Sequence, residues 1–205
     1  MSKQYFEEVA PQWDEMRKTF FSEAVRNKAF CLADIQSNKI AADIGAGTGF
    51  ITEGLIQKGV HVIAVDQSVE MLGVIKEKFS QKEIDCRVGE AEKLPVNNES
   101  VDYVFANMYL HHVEFPERAI QEMVRILKPG GKLVITDLDE HTFEFLKEEH
   151  HDRWMGFKRI DIENWFKKAG LKKVIIDDVG EDCCSKSSCG TTKANIKIFA
   201  STGQK

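Results

Sequence analysis

Asp43-Ile44-Gly45-Ala46-Gly47-Thr48-Gly49 decides how this chain is read. The heptapeptide ends an apolar run, residues 40–44, that reads as a strand, and it opens a stretch that reads as a helix. A strand, turn and helix in this order stand where a doubly wound α/β fold binds ligands, outside the carboxyl ends of its strands. Glycines allow the turn positive φ and let a ligand approach the backbone, while the helix N-terminus offers unpaired amide donors. The next predicted strand, 61–65, runs into Asp66, 23 positions beyond Asp43. A carboxylate there can accept hydrogen bonds from both ribose hydroxyls of an adenosine group. A nicotinamide dehydrogenase would carry Gly-x-Gly-x-x-Gly, with its last glycine at position 50. Phe50 stands there instead, which suits a cofactor with no pyrophosphate to cradle.

Working outward, short apolar runs alternate with amphipathic stretches, the pattern of a mostly parallel sheet covered by helices on both faces. Predicted strands cover 84–88, 101–106 and 132–136, and two more fit at 173–177 and 195–200. Pro116 opens a predicted helix whose Ala119, Ile120, Met123, Val124 and Leu127 share one face, and Pro129-Gly130-Gly131 stops it. Asp161 is the expected cap of another, with Ile162, Trp165, Phe166 and Ala169 on its stripe. Phe21, Val25, Ala29 and Leu32 suggest a helix before the sheet, preceded by an arm bearing Tyr5, Phe6 and Trp13.

Composition narrows the class. The 205 residues, 42% hydrophobic, suffice for one core, and the net charge of −5 has its Lys and Arg scattered among acids, so no nucleic-acid partner is expected. No run approaches the ~18 apolar residues of a membrane span and the N-terminus lacks a signal-peptide pattern, so the expected location is cytoplasmic. In a reducing compartment the five cysteines read as thiols or soft ligands.

Four motifs occur in order: Ala42-Asp43-Ile44-Gly45-Ala46-Gly47-Thr48-Gly49; Val65-Asp66-Gln67-Ser68 with Met71; Gly89-Glu90-Ala91-Glu92-Lys93-Leu94-Pro95; and Leu127-Lys128-Pro129-Gly130-Gly131. On these the chain resembles the class I S-adenosylmethionine-dependent methyltransferases, in the small branch that includes ubiquinone-biosynthesis and arsenite methyltransferases. The resemblance implies a Rossmann-like doubly wound seven-stranded sheet whose last strand is antiparallel beside the fifth. It implies one domain: an N-terminal helical lid over residues 1–36, a cofactor-binding core over 37–138, and an acceptor-side segment with the last two strands over 139–205. For S-adenosylmethionine it implies contacts from Asp43, Gly45, Ala46, Gly47 and Gly49 at the turn. Asp66 is implied at the ribose, Gln67 and Met71 flanking the adenine, Glu90 and Ala91 at the adenine edge, and Asn107 where backbone carbonyls receive the amino group.

Methyl transfer from a sulfonium needs chiefly an aligned nucleophile and exclusion of water. His111 and His112 follow the fourth predicted strand at the pocket mouth, and His112 is the candidate general base. Tyr5, Trp13, His111 and His151 are candidates for the acceptor side. So are Cys183, Cys184 and Cys189, three thiols expected in the connection between the last two strands and suited to a soft ion such as trivalent arsenic. The segment 137–157 and the Cys183-Cys184 pair also resemble methyltransferase domains fused to metal-responsive repressors. A small-molecule acceptor, in one version a thiol or trivalent arsenic, is therefore expected. A nonenzymatic sensor of thiophilic ions on the same scaffold, and a nicotinamide oxidoreductase, stay open as alternatives.

Overall fold

The apolar runs are strands in the computed structural model, which describes residues 2–187, 190 and 192–205. Five parallel strands, β1 (Ile40–Ile44), β2 (His61–Asp66), β3 (Asp85–Val88), β4 (Val101–Asn107) and β5 (Leu127–Leu138), are completed by β6 (Lys172–Lys186) and β7 (Lys193–Gln204). Their order is β3-β2-β1-β4-β5-β7-β6, with β7 antiparallel to β5 and to β6, as the Rossmann-like reading requires. The chain's course reverses between β1 and β4, and a crevice opens at such a switch point beyond the strand ends.

Alternation along the strands divides the core. Ala41, Tyr103, Phe105 and Val134 pack with α3 (Glu23–Ala33) and α4 (Phe50–Gln57), whereas Ala42, Val104, Leu133 and Ile135 pack with α6 (Pro116–Ile126) and α8 (Arg159–Lys168). Between α4 and α6 in the chain, α5 (Val69–Lys78) buries Leu72 and Ile75 against Ala46 and Ala64. The N-terminal arm forms α1 (Ser2–Val9), a 3-10 turn at Ala10–Gln12, and α2 (Trp13–Arg17), and it buries Val9 and Ala10 against Met71 of α5. No helix among the described residues is long and apolar enough to cross a membrane.

Several expectations need correction. The helix opened by Pro116 ends at Ile126; Leu127 is already extended (φ −67°, ψ 136°) because it pairs with Val101, and it buries its side chain from the strand instead. Lys158, not Asp161, stands at the α8 N-cap, and Asp161 sits in the first turn, where its charge still favours the helix dipole. Between β5 and α8 the chain forms one short helix, α7 (Phe145–Glu149), whose Leu146 is buried. The largest change is at the cysteines. β6 and β7 pair far beyond the predicted spans, with Cys183 opposite Ile196 and Cys184 opposite Asn195, so both thiols belong to a strand and not to a connection.

Candidate active site

The glycine turn is drawn against β2: the amides of Gly45 and Ala46 donate to the Val65 carbonyl at 2.9 and 3.1 Å. Gly45 (φ 68°) and Gly47 (φ 53°) take the left-handed conformation, and a Cβ on Gly45 would lie 2.2 Å from the Tyr109 ring, so no larger residue fits. Asp66 closes the turn, accepting from Gly47 N at 2.8 Å and from Ser68 N at 2.9 Å. Burial pushes the Asp66 carboxyl above its ordinary pKa, against the pull of those amides. Around this turn lies a cavity of about 590 Å³ walled by Gly45, Ala46, Gly47, Asp66, Gln67, Met71 and Asn107, with Phe6, Trp13 and Arg17 from the arm. Glu90 and Ala91 line an adjoining recess that shares Gln67. Two expected cofactor residues lie outside. Asp43 is buried behind the turn, where its carboxylate accepts from Thr52 N (3.0 Å) and Oγ1 (2.7 Å), pinning α4 to β1. Gly49 caps α4, and its would-be Cβ meets Ile75 and Phe79.

A second cavity, of about 500 Å³, abuts the first. Phe6, Trp13, Phe21, Met108 and His112 face both. Its walls are aromatic: Phe6 meets Trp13 and His112 edge-on (centroids 5.4 and 5.0 Å), and Phe20 meets His150 (5.3 Å). Tyr5, Asp152 and Cys183 complete it. Met108 holds a left-handed φ of 49°, a strained conformation at the junction.

The polar end of this second cavity is built by three segments. His111 and His112 lie in a 3-10 turn just after β4, Asp137 is the penultimate residue of β5, and Asp152 follows α7. His111 Nδ1 is 2.7 Å from Asp137 Oδ1. Burial disfavours the His111 cation, but Asp137 and Asp152 outweigh it and hold the pKa up at about 9. Burial, reinforced by the charge of His111, holds His112 well below the ordinary imidazole value. Of the other acceptor-side candidates, His151 touches the Tyr5 ring (5.1 Å) without lining either cavity. Cys183 is buried in the cavity wall, and burial, followed by the charge of Asp152, pushes its thiol up to about 12. Cys184 points to the other face of β6, its Sγ 3.4 Å from Asn195 Oδ1. Cys189 lies outside the described residues.

Comparison with known proteins decides the family. The family model described as a methyltransferase domain matches residues 42–135, from the glycine turn through β5. The chain belongs to the class I S-adenosylmethionine-dependent methyltransferases. It is 33% identical over 164 residues to the rice protein 2-methyl-6-phytyl-1,4-hydroquinone methyltransferase 2, covering 78% of this chain and 47% of that one. To demethylmenaquinone methyltransferase of Renibacterium salmoninarum it is 33% identical over 141 residues, covering 67% and 59%. The chain thus spans about half the length of the curated relatives it matches. In fold it is similar to a chain of the complex between the Haloferax volcanii Trm112 methyltransferase activator and a methyltransferase, with a TM-score of 0.77, 18% identity, and coverage of 97% and 96%.

Several residues of this site escape a sequence reading. Arg17 is buried in the cofactor cavity wall, its guanidinium 4.0 Å over the Phe50 ring, and its Nε has no hydrogen-bond partner among the described residues. Burial lowers its pKa without threatening the charge. Asp14 clasps α2 onto the turn, accepting from Thr48 Oγ1 (2.6 Å) and from Lys78 Nζ (2.8 Å). The group the family uses fits these residues: the buried Arg17, whose Nη2 faces Glu23 at 3.8 Å, keeps an unpartnered Nε suited to an amino-acid carboxylate, Asp66 retains acceptor capacity for hydroxyls, and the turn admits close approach. The one sequence signal for Arg17 is that it ends the aromatic arm, on which a charge reads as solvated.

Proposed function

We propose that this protein binds S-adenosylmethionine at the glycine turn and transfers its methyl group to a small-molecule acceptor held in the aromatic-walled cavity. The observation that carries the reading is the shared wall of Phe6, Trp13, Phe21, Met108 and His112, which sets an acceptor cavity directly against the cofactor cavity. When bound, the cofactor supplies a methyl group on an already activated leaving group, so the protein's task is to orient a nucleophile and keep water out. In this reading Asp66 binds the ribose hydroxyls, Gln67 and Met71 flank the adenine, Glu90 and Ala91 meet its edge, the Asn107 carbonyl receives the amino group, and Arg17 pairs with the carboxylate. The lid rings exclude water. His112, which faces both cavities, handles the acceptor's proton.

A thiol suits the acceptor cavity better than trivalent arsenic. Arsenic would need converging thiolates, and Cys183 and Cys184 lie on opposite faces of β6. The aromatic walls favour a second reading, a ring-bearing acceptor of the kind named in the hydroquinone methyltransferase relatives. The test is a panel of thiols, hydroquinones and trivalent arsenicals incubated with methyl-labelled cofactor. Labelled product together with S-adenosylhomocysteine is expected from a thiol or a hydroquinone. Cofactor binding without turnover on any of them would favour the nonenzymatic sensor.

A further inference from the structure

Three side chains at the floor of the acceptor cavity meet without bonding one another. Asp152 Oδ1 lies 3.8 Å from His111 Nε2 and 3.7 Å from His112 Nδ1, too far for hydrogen bonds, and one ligand atom from each of the three lies within 4.8 Å of the others. All three side chains are buried, at 6%, 8% and 5% exposure, and His112 Nδ1 has no partner among the described residues. A buried polar atom left without a partner is destabilising, so the His112 nitrogen, set beside a second imidazole and a carboxylate, calls for one.

The far edge of the His111 imidazole is already committed, for its Nδ1 bonds Asp137. A metal-binding histidine has this two-sided arrangement, in which an outer carboxylate fixes the ring so that its inner nitrogen points at the ion. His151, beside Asp152, holds a left-handed φ of 59°, and the amides of Arg153 and Trp154 bond the His111 carbonyl at 3.0 and 3.1 Å. The strand-end turn and the 151–154 segment are thereby locked together, with Asp152 facing the two rings.

We propose that His111, His112 and Asp152 bind one divalent cation of borderline softness, zinc being the best match, and that this ion takes the methyl acceptor's heteroatom as a further ligand. The proposal rests on the acceptor-cavity reading above. Two imidazoles and a carboxylate are a zinc-type donor set with a position left for an exogenous ligand. Bonds of about 2.0–2.2 Å in tetrahedral array put ligand atoms roughly 3.3 Å apart, so the two edges to Asp152 must close by about half an ångström, and the edge between the imidazole nitrogens, which lie within 4.8 Å, by no more than about 1.5 Å. A thiol or hydroxyl that binds there gives its proton to solvent and keeps its electron pair facing the ion and the shared wall. With the ion bound, His112 serves as a ligand, and solvent takes the proton that a free His112 would otherwise handle.

The experiment uses the full chain, stripped with a chelator and titrated with Co²⁺ and Zn²⁺. One Co²⁺ per chain with a d–d spectrum of low coordination is expected, and Zn²⁺ should displace it. Asp152→Asn should weaken uptake at least about tenfold while S-adenosylhomocysteine affinity is unchanged, since Asp152 does not line the cofactor cavity. X-ray absorption of the zinc-loaded wild type, which needs no variant, should show imidazole scattering and no sulfur. No uptake at micromolar metal, unchanged affinity in Asp152→Asn, or sulfur in the zinc shell overturns the proposal; the last would assign the ion to the cysteines. Loss of S-adenosylhomocysteine binding by the wild type would overturn the methyltransferase reading instead, whatever the metal result.

Discussion

Replacing Asp66 tests the ribose contact and the turn together. Two of the carboxylate's roughly four lone-pair sites are engaged by Gly47 N and Ser68 N, which leaves acceptor capacity for two hydroxyls. A hydrogen bond to a charged group contributes about 1.5–3 kcal/mol, so Asp66→Ala removes about 3–6 kcal/mol of cofactor binding, on the order of 10²- to 10⁴-fold in Kd. Asp66→Asn keeps one neutral acceptor, and neutral bonds are about half as strong as charge-assisted ones, so its loss should fall between wild type and Asp66→Ala. Stability moves less, because the variant frees the Gly47 amide but also removes a carboxylate that burial already disfavours. Isothermal titration with S-adenosylhomocysteine, beside a urea denaturation curve for each protein, separates the two effects. Wild-type affinity in a folded Asp66→Ala protein would remove Asp66 from the site and refute the assignment.

Three further substitutions probe other parts of the site. Arg17→Gln should weaken S-adenosylhomocysteine binding by on the order of tenfold or more but leave 5′-methylthioadenosine, which lacks the carboxylate, nearly unaffected; equal losses for both would show Arg17 acting only through packing. Gly47→Val should abolish cofactor binding in titration, because its φ of 53° strains a branched residue and its Cβ would point 3.6 Å from the Trp13 indole; retained binding would put the ligand elsewhere. Burial raises Asp43 from 3.8 to about 7, so the native state holds the proton that the unfolded chain releases, and stability falls as pH rises from about 4 to 7. Urea midpoints should then show Asp43→Asn gaining on wild type across that window, by at most about 4 kcal/mol, and parallel pH profiles would contradict the buried-acid account.

What the sequence discloses follows from how local the signal is. The turn, Asp66, and the first five strands announce themselves because strand, glycine turn and acid follow one another between residues 40 and 66, and short apolar runs alternate with amphipathic stretches beyond them. The cysteine strand stays hidden although Cys183, Cys184 and Ser185 alternate in, out, in: a cluster of thiols reads as a ligand loop, and only pairing with Asn195 and Ile196 reveals the hairpin. Asp43 illustrates a different failure. A carboxylate beside a glycine turn reads as a ligand contact, while its actual partner, Thr52, comes from the first turn of the helix that follows. The floor of the acceptor cavity needs tertiary information, since Asp137 and Asp152 stand 26 and 41 residues beyond His111, and no periodicity links them. The general rule that such folds act at strand ends does point at Asp137, the penultimate residue of β5.

An amide-resolved NMR titration with S-adenosylhomocysteine tests most directly whether S-adenosylmethionine occupies the glycine turn. The amides of Gly45, Gly47, Gln67 and Ala91 should shift together along one saturating curve, with the indole of Trp13, while those of β6 and β7 stay in place. Saturation with no shift at the turn, or a response centred on the hairpin, would contradict that occupancy.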